Sequence, residues 1–191
     1  MNIIQSNIAN LPTKYGKFKI KAYKDEDQEH LAIMSENFQD LDIPYVRIHS
    51  ECLTGDTLGS LKCDCQNQLD LALKFIAQEG GLVIYHRQEG RNIGLLNKVN
   101  AYALQDQGRD TIQANVELGF NEDERDYRIV EHIFKDLGIK KIKLITNNPK
   151  KLAYVESLGV DIKERIPAIT KSNKYNKEYI NTKKEQMGHM F

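Results

Sequence analysis

An excess of charge of one sign is the first thing this sequence lacks. Lysine and arginine together number 27, aspartate and glutamate 27, and the formal net charge is zero. A protein that coats DNA or RNA needs a basic surplus, so nucleic acid is not expected as a partner. Long apolar runs are missing as well: no stretch approaches the roughly 20 residues of a membrane span. The start of the chain, Met1 to Asn7, has no basic segment leading into an apolar block, so no secretory leader is expected. Cysteine is scarce. The three present, two of them one residue apart, make a poor disulfide framework, and a reducing cytoplasm is the expected setting. No internal repeat is found. What remains is a chain of 191 residues, 40% apolar and 28% charged, with a mean hydropathy of −0.55. That is the profile of a soluble globular protein able to bury its own core.

Periodicity supplies the next layer. Lys17-Phe18-Lys19-Ile20-Lys21-Ala22 and Tyr45-Val46-Arg47-Ile48-His49 alternate with period two, so the first fifty residues read as β-rich. Leu69, Ala72, Leu73, Ile76 and Ala77 then follow helical spacing up to Gly80-Gly81. Leu82 to Tyr85 reads as a buried strand, residues 94–107 as a helix, and Glu124 to Leu137 as another with Gly138 behind it. Ile142 to Ile145 and Val160 to Ile166 read as strands on either side of a helix from Lys150 to Leu158. Strand, helix, strand in alternation is the α/β signature: a mixed β-sheet flanked by helices, with a β-rich N-terminal region. Residues 1–170 are expected to form one catalytic domain. Residues 171–191, with five lysines against two glutamates, are expected to form a polar basic tail that is mobile or orders over a bound anion.

Three stretches carry chemistry. Cys63 and Cys65, at i and i+2 of an extended segment, project to one side and can share a metal ion; the loop carrying Gly55 and Gly59 can bring Cys52 round as a third ligand. Three protein ligands leave the fourth tetrahedral position open, the pattern of a catalytic zinc; three buried, unligated cysteines are the alternative. Three thiolates polarise a metal-bound water less than three imidazoles would, so a hydrogen-bonding partner nearby is expected, with His49 and Glu51 close in sequence. The second stretch, His86 to Gly94, lies between a strand and a helix. Its glycines allow close backbone approach, and Arg87 and Arg91 can fork onto phosphate oxygens. Lys150 and Lys151 follow a second strand-to-helix turn, and two basic junctions suggest a polyanionic small ligand such as a triphosphate. The third stretch, Asn121 to Arg128, alternates carboxylates with arginines: a solvated first turn of a helix, or an Arg–Asp pair working on a phosphoryl group.

Val46-Arg47-Ile48-His49-Ser50-Glu51-Cys52-Leu53-Thr54-Gly55-Asp56 followed by Cys63-Asp64-Cys65 resembles the GTP cyclohydrolase II family of riboflavin biosynthesis. So do Tyr85 to Leu95, Tyr102 to Asp106, Asp123-Glu124-Arg125, Thr146 to Lys151 and Met187-Gly188-His189, all in one register from about Tyr45 onward. The resemblance implies a zinc-dependent homodimeric hydrolase that also uses magnesium. It opens the imidazole ring of GTP at C8, releases formate and pyrophosphate, and leaves 2,5-diamino-6-(5-phosphoribosylamino)pyrimidin-4-one, the first committed step toward riboflavin. Carried over by position, Cys52, Cys63 and Cys65 are the zinc ligands. Arg47, Ile48, His49, Ser50, Glu51, Gln68, Glu89, Gly90, Arg91, Thr111, Thr146 and Lys151 line the nucleotide site. Asp123 is the implied proton acceptor, and Arg125 the implied nucleophile at the α-phosphorus, with charge stabilisation at phosphorus as its rival role. Tyr102 stands near the reacting purine, donating to a ring nitrogen or packing in its helix. Gln66 and Gln113 depart from the family, which usually has glycine and often glutamate there. Two rival readings are a relative that keeps the formyl group and a non-catalytic nucleotide- or RNA-binding module with structural zinc.

Overall fold

The computed structural model describes residues 2–190, and one mixed sheet of eight strands runs through it. The N-terminal half is antiparallel. β1 (Ile4–Gln5) and β2 (Ala9–Thr13) both pair with β3 (Gly16–Asp25), which pairs along its length with β4 (Gln28–Ser35). The other half is parallel. β5 (Tyr45–Ser50) lies between β6 (Gly81–His86) and β7 (Lys141–Ile145), with β8 (Asp161–Ile166) outside β7. β4 and β6 pair antiparallel and join the halves, Ile33 opposite Val83. The expected α/β class and β-rich N-terminal region are therefore present.

Among the described residues, eight α-helices accompany the sheet: α1 (Leu53–Asp56), α2 (Cys65–Glu79), α3 (Glu89–Asn92), α4 (Gly94–Gln105), α5 (Thr111–Glu117), α6 (Arg128–Asp136), α7 (Pro149–Ser157) and α8 (Lys177–Glu185). Among the described residues, no helix is long and apolar enough to cross a membrane. The strand pleat sorts side chains between two cores. Val46, Ile48, Leu82 and Ile84 pack with Ile129, Ile133 and Phe134 of α6 and Val155 of α7. Val83 and Ile145 face the other way, onto Ala72, Leu73 and Ile76 of α2. Leu82, Val83 and Ile84 are all fully buried because helices cover both faces of the parallel half, which is why β6 reads as an unbroken apolar run. Each such side chain contributes about 1.5–3 kcal/mol by leaving water. Gly81 opens β6 where a Cβ would stand 2.1 Å from the Tyr45 carbonyl oxygen, so the start of the parallel pair requires glycine.

β6 and β7 flank β5 on opposite sides, so the winding reverses there and a crevice opens beyond the C-terminal strand ends at Ser50, His86 and Ile145. Two expectations are corrected at this crevice. The helix read from Glu124 starts at Arg128, because side chains upstream capture the backbone first: Asp123 Oδ1 accepts from Arg125 N at 3.2 Å and Asp126 Oδ1 from Arg128 N at 2.9 Å. The tail is not loose. α8 seats on the crevice, Asn176 is fully buried, and Met190 N donates to the Asn147 carbonyl at 2.9 Å.

Candidate active site

Three sulfurs form one end of the crevice. The Sγ atoms of Cys52, Cys63 and Cys65 lie within 4.8 Å of one another, and Cys52 and Cys63 are 3.6 Å apart, far beyond a disulfide bond. Gly55 of α1 makes the close approach possible: a Cβ there would sit 2.8 Å from Cys63 Sγ and 3.0 Å from Cys52 Sγ. Hydrogen bonds donated by Cys63 and Cys65 pull the Cys52 thiol down, and serving as donors to that sulfur pushes Cys63 up to about 11 and Cys65 well above its ordinary value. Sulfurs this close do not all ionise unless a cation sits among them. The donor set and the space kept clear by Gly55 therefore fit a thiophilic divalent ion such as zinc.

Asp56 braces this end. One of its oxygens accepts from Cys52 N at 3.0 Å and from the Tyr85 hydroxyl at 2.8 Å, and the same carboxylate meets His49 Nε2 at 3.0 Å. Burial lowers the His49 imidazole, and its Nδ1 has no hydrogen-bond partner among the described residues. The Tyr102 hydroxyl stands 3.0 Å from Thr54 Oγ1, aimed at the sulfur loop rather than packed inside α4, and burial raises it.

Cations form the other end. Arg125 grips Asp123 through both carboxylate oxygens, Nε to Oδ1 at 2.7 Å and NH2 to Oδ2 at 2.5 Å, and reaches Ser50 Oγ with NH1 at 3.0 Å. Burial alone would raise the Asp123 carboxyl; the Arg125 hydrogen bonds outweigh it and hold it below the ordinary range. Lys151, from the first turn of α7, donates to the Ile48 carbonyl at 2.7 Å and to the same Ser50 Oγ at 3.1 Å. Burial, then the neighbouring Arg125 and Arg47, push its ammonium well below its usual value. Arg91 donates to the Glu122 carbonyl at 3.0 Å and lies against Met187 Sδ. It sits in a left-handed turn with Gly90 and Asn92, at φ of 63°, 62° and 73° respectively. Two non-glycine residues held there carry backbone strain that the surrounding contacts must sustain.

Most residues expected at the site meet in this one pocket. Arg47, Ser50, Glu51, Gln68, Thr111 and Thr146 line it, as do Gly90, Arg91, Arg125 and Lys151. Ile48 does not bring its side chain: that is buried in the core, and only its carbonyl reaches the cations. Asp123 stands behind Arg125. Glu89 lines the pocket with its oxygens already engaged, Oε1 by Lys98 Nζ at 2.6 Å and Gly90 N at 2.9 Å, Oε2 by Leu53 N at 2.6 Å. Gln113 accepts from Asp110 N at 3.0 Å in the capping box that starts α5. Sequence reasoning missed Asp56, Lys98 and Lys183. Lys98 had a signal, standing one helical turn before Tyr102 on the same face; Lys183 had only the general one of a basic tail that can order over an anion.

Fold and site together define a class: an α/β enzyme whose crevice sets a candidate thiolate metal site against a cluster of cationic side chains. Comparison with known proteins narrows it. The family model of GTP cyclohydrolase II matches residues 5–167. The GTP cyclohydrolase-2 of Campylobacter fetus subsp. fetus (strain 82-40) is 62% identical over 100% of this chain and 97% of its own. That of Campylobacter hominis is 56% identical over 100% of this chain and 96% of its own, and that of Helicobacter pylori (strain Shi470) 53% over 97% and 96%. The chain belongs to the GTP cyclohydrolase II family and is a hydrolase, as the motifs implied. Among solved structures, a two-domain 3,4-dihydroxy-2-butanone 4-phosphate synthase from A. baumannii is similar over 88% of this chain and 40% of its own, at TM-score 0.45 and 18% identity.

Proposed function

We propose that this protein hydrolyses GTP at C8 of the purine, releases formate and pyrophosphate, and so supplies the diaminopyrimidinone ribosyl phosphate that begins riboflavin synthesis. Family membership supports the hydrolytic ring opening. The observation that carries the finer reading is the single pocket with clustered sulfurs at one end and Arg125, Lys151 and Arg91 at the other. A guanosine triphosphate is a base at one end and a tetra-anion at the other.

Cys52, Cys63 and Cys65 would hold zinc, which when bound supplies Lewis acidity for hydrolysis at the purine. Lys151 and Arg91 exchange their protein carbonyls for phosphate oxygens and fix the triphosphate. Magnesium fits as an ion carried in on those oxygens. Arg125 faces the α-phosphorus. In its bidentate pair the guanidinium holds its proton more tightly than usual, burial notwithstanding, which supports charge stabilisation; bond formation requires Asp123 to take that proton first. Tyr102 meets the base beside the sulfurs. A homodimer in the cytoplasm completes the reading, with exposed Leu96 and Val99 of α4 as apolar surface for a second copy to cover.

Incubation with GTP, zinc and magnesium, followed by mass analysis of the nucleotide product, tests this. The expected product lacks both the C8 carbon and pyrophosphate, and Cys63→Ser loses zinc and turnover together. A product that keeps the formyl group, or full turnover in the serine variant, overturns it.

A further inference from the structure

Lys98 is buried on α4, 9% exposed, with its Nζ 3.0 Å from Cys52 Sγ and 2.6 Å from Glu89 Oε1. Burying an ammonium is costly, and one carboxylate offsets that cost only where the remaining protons are also bonded. Here the ammonium is divided between that carboxylate and a sulfur that could hold a metal. Glu89 is itself fixed by two backbone N–H groups, Leu53 beside Cys52 and Gly90 in the left-handed turn, so the position of Lys98 is imposed from both sides. The Tyr102 ring, 5.7 Å from Nζ, closes a third side. Nothing in this arrangement directs Lys98 to the phosphate cradle, whose cations lie on other elements.

We infer that Lys98 is a positioning residue for the metal centre: its N–H···S hydrogen bond to Cys52 weakens that thiolate as a donor and keeps the bound ion electrophilic. Three thiolates alone would over-supply a divalent ion with negative charge, the deficit noted from the sequence. A hydrogen bond drawing density from one sulfur reduces that over-supply, as outer-shell partners do at metal sites generally. Glu89, by this account, serves the metal end through Lys98 rather than the nucleotide directly.

The inference rests on the zinc reading above, and the test separates the two. Wild type, Lys98→Met and Lys98→Arg are loaded with cobalt in place of zinc, and the thiolate-to-cobalt charge-transfer band is recorded alongside steady-state kinetics of the zinc forms. In Lys98→Met the band moves to longer wavelength, because an unbonded thiolate gives up its electrons more easily. Its kcat falls about 10- to 100-fold, with KM for GTP nearly unchanged. Lys98→Arg, which keeps a cationic donor, recovers most of the band position. Cobalt is held at least as tightly in Lys98→Met as in wild type, because a thiolate freed of the hydrogen bond is the stronger donor; loss of cobalt from that variant overturns the inference. An unmoved band in Lys98→Met, an arginine variant no better than methionine, or an effect confined to KM also overturns it alone. A wild-type protein without a thiolate band overturns the zinc reading and this inference with it.

Discussion

The two ends of the pocket face opposite charge problems and are built differently. At the sulfur end, three groups of potentially like charge are wedged together by a helix turn with no room for a methyl group, and one ammonium touches them. At the cation end, long side chains from α3, α7 and the segment before α6 converge, each resting on an oxygen it can exchange: Lys151 on Ile48, Arg91 on Glu122, Arg125 on Ser50. The sulfur end is fixed by steric contact, the cation end by contacts that a phosphate can replace. Perturbation should accordingly be all-or-none at one end and graded at the other.

Gly55→Ala puts the contrast to its hardest test. Gly55 lies in α1 without a positive φ, so alanine costs the backbone nothing; the whole effect comes from a Cβ 2.8 Å from Cys63 Sγ and 3.1 Å from Cys65 Cβ. The variant should fold, lose nearly all its zinc by metal analysis, and lose about 100-fold or more of its turnover. A variant holding one zinc per chain would show that the sulfur end is pliable after all.

Arg125→Ala comes next. It removes the group that joins Asp123 to Ser50, and leaves Asp123, 11% exposed, without the partner that holds its carboxyl down. Pyrophosphate release should fall about 10²–10³-fold, the usual loss for one donor to a developing oxyanion, while zinc content stays at the wild-type level. Normal release would remove Arg125 from the phosphorus step, and zinc loss would show that the two ends are not separate.

The two ends also differed in how far sequence exposed them. The sulfur end was legible because Cys-x-Cys has meaning within a few residues, and Gly55 stood in the same loop. The central sheet was legible for a similar reason: Leu82 to Tyr85 and Ile142 to Ile145 are apolar runs that only burial explains. The cation end was legible only in pieces: Arg91, Lys151 and the stretch holding Arg125 each stood out locally as basic or phosphoryl-directed, Arg47 needed the resemblance, and only the parallel strand order gathers the four from separate segments. The local exchange of side-chain for backbone hydrogen bonds that delays α6 to Arg128 lies below what periodicity can read. The order of the tail lies beyond apolar patterning because its helix is held by polar contacts. Asn176 donates to the Cys63 carbonyl at 3.3 Å and Lys183 to Asp64 at 2.8 Å, partners more than a hundred residues away, whereas the expectation of mobility counted only apolar residues.

Those tail contacts lead to the smallest effect. Asp64, between two candidate metal ligands, is 1% exposed and bonds Lys183 through one oxygen and Gln68 Nε2 at 2.6 Å through the other; Gln68 in turn bonds Arg47. One polar chain thus runs from α8 beneath the sulfur loop to the cation end. Burial works to raise the Asp64 carboxyl, but Lys183 and Gln68 prevail and hold it below its ordinary 3.8. A carboxyl depressed in the folded state stabilises above its unfolded value, and that contribution is lost as pH falls through the folded one. Lys183→Ala should cost about 1–2 kcal/mol, less than a fully buried broken pair because Gln68 remains. That lowers Tm by about 3–6 °C at neutral pH. The gap from wild type should close as the pH falls through the depressed folded-state value of Asp64, below which the carboxyl is protonated in both proteins. An equal gap at all pH values would mean that Lys183 acts through packing of α8 and not through the carboxylate. The polar chain would then be no link between the ends, and their independence would be complete.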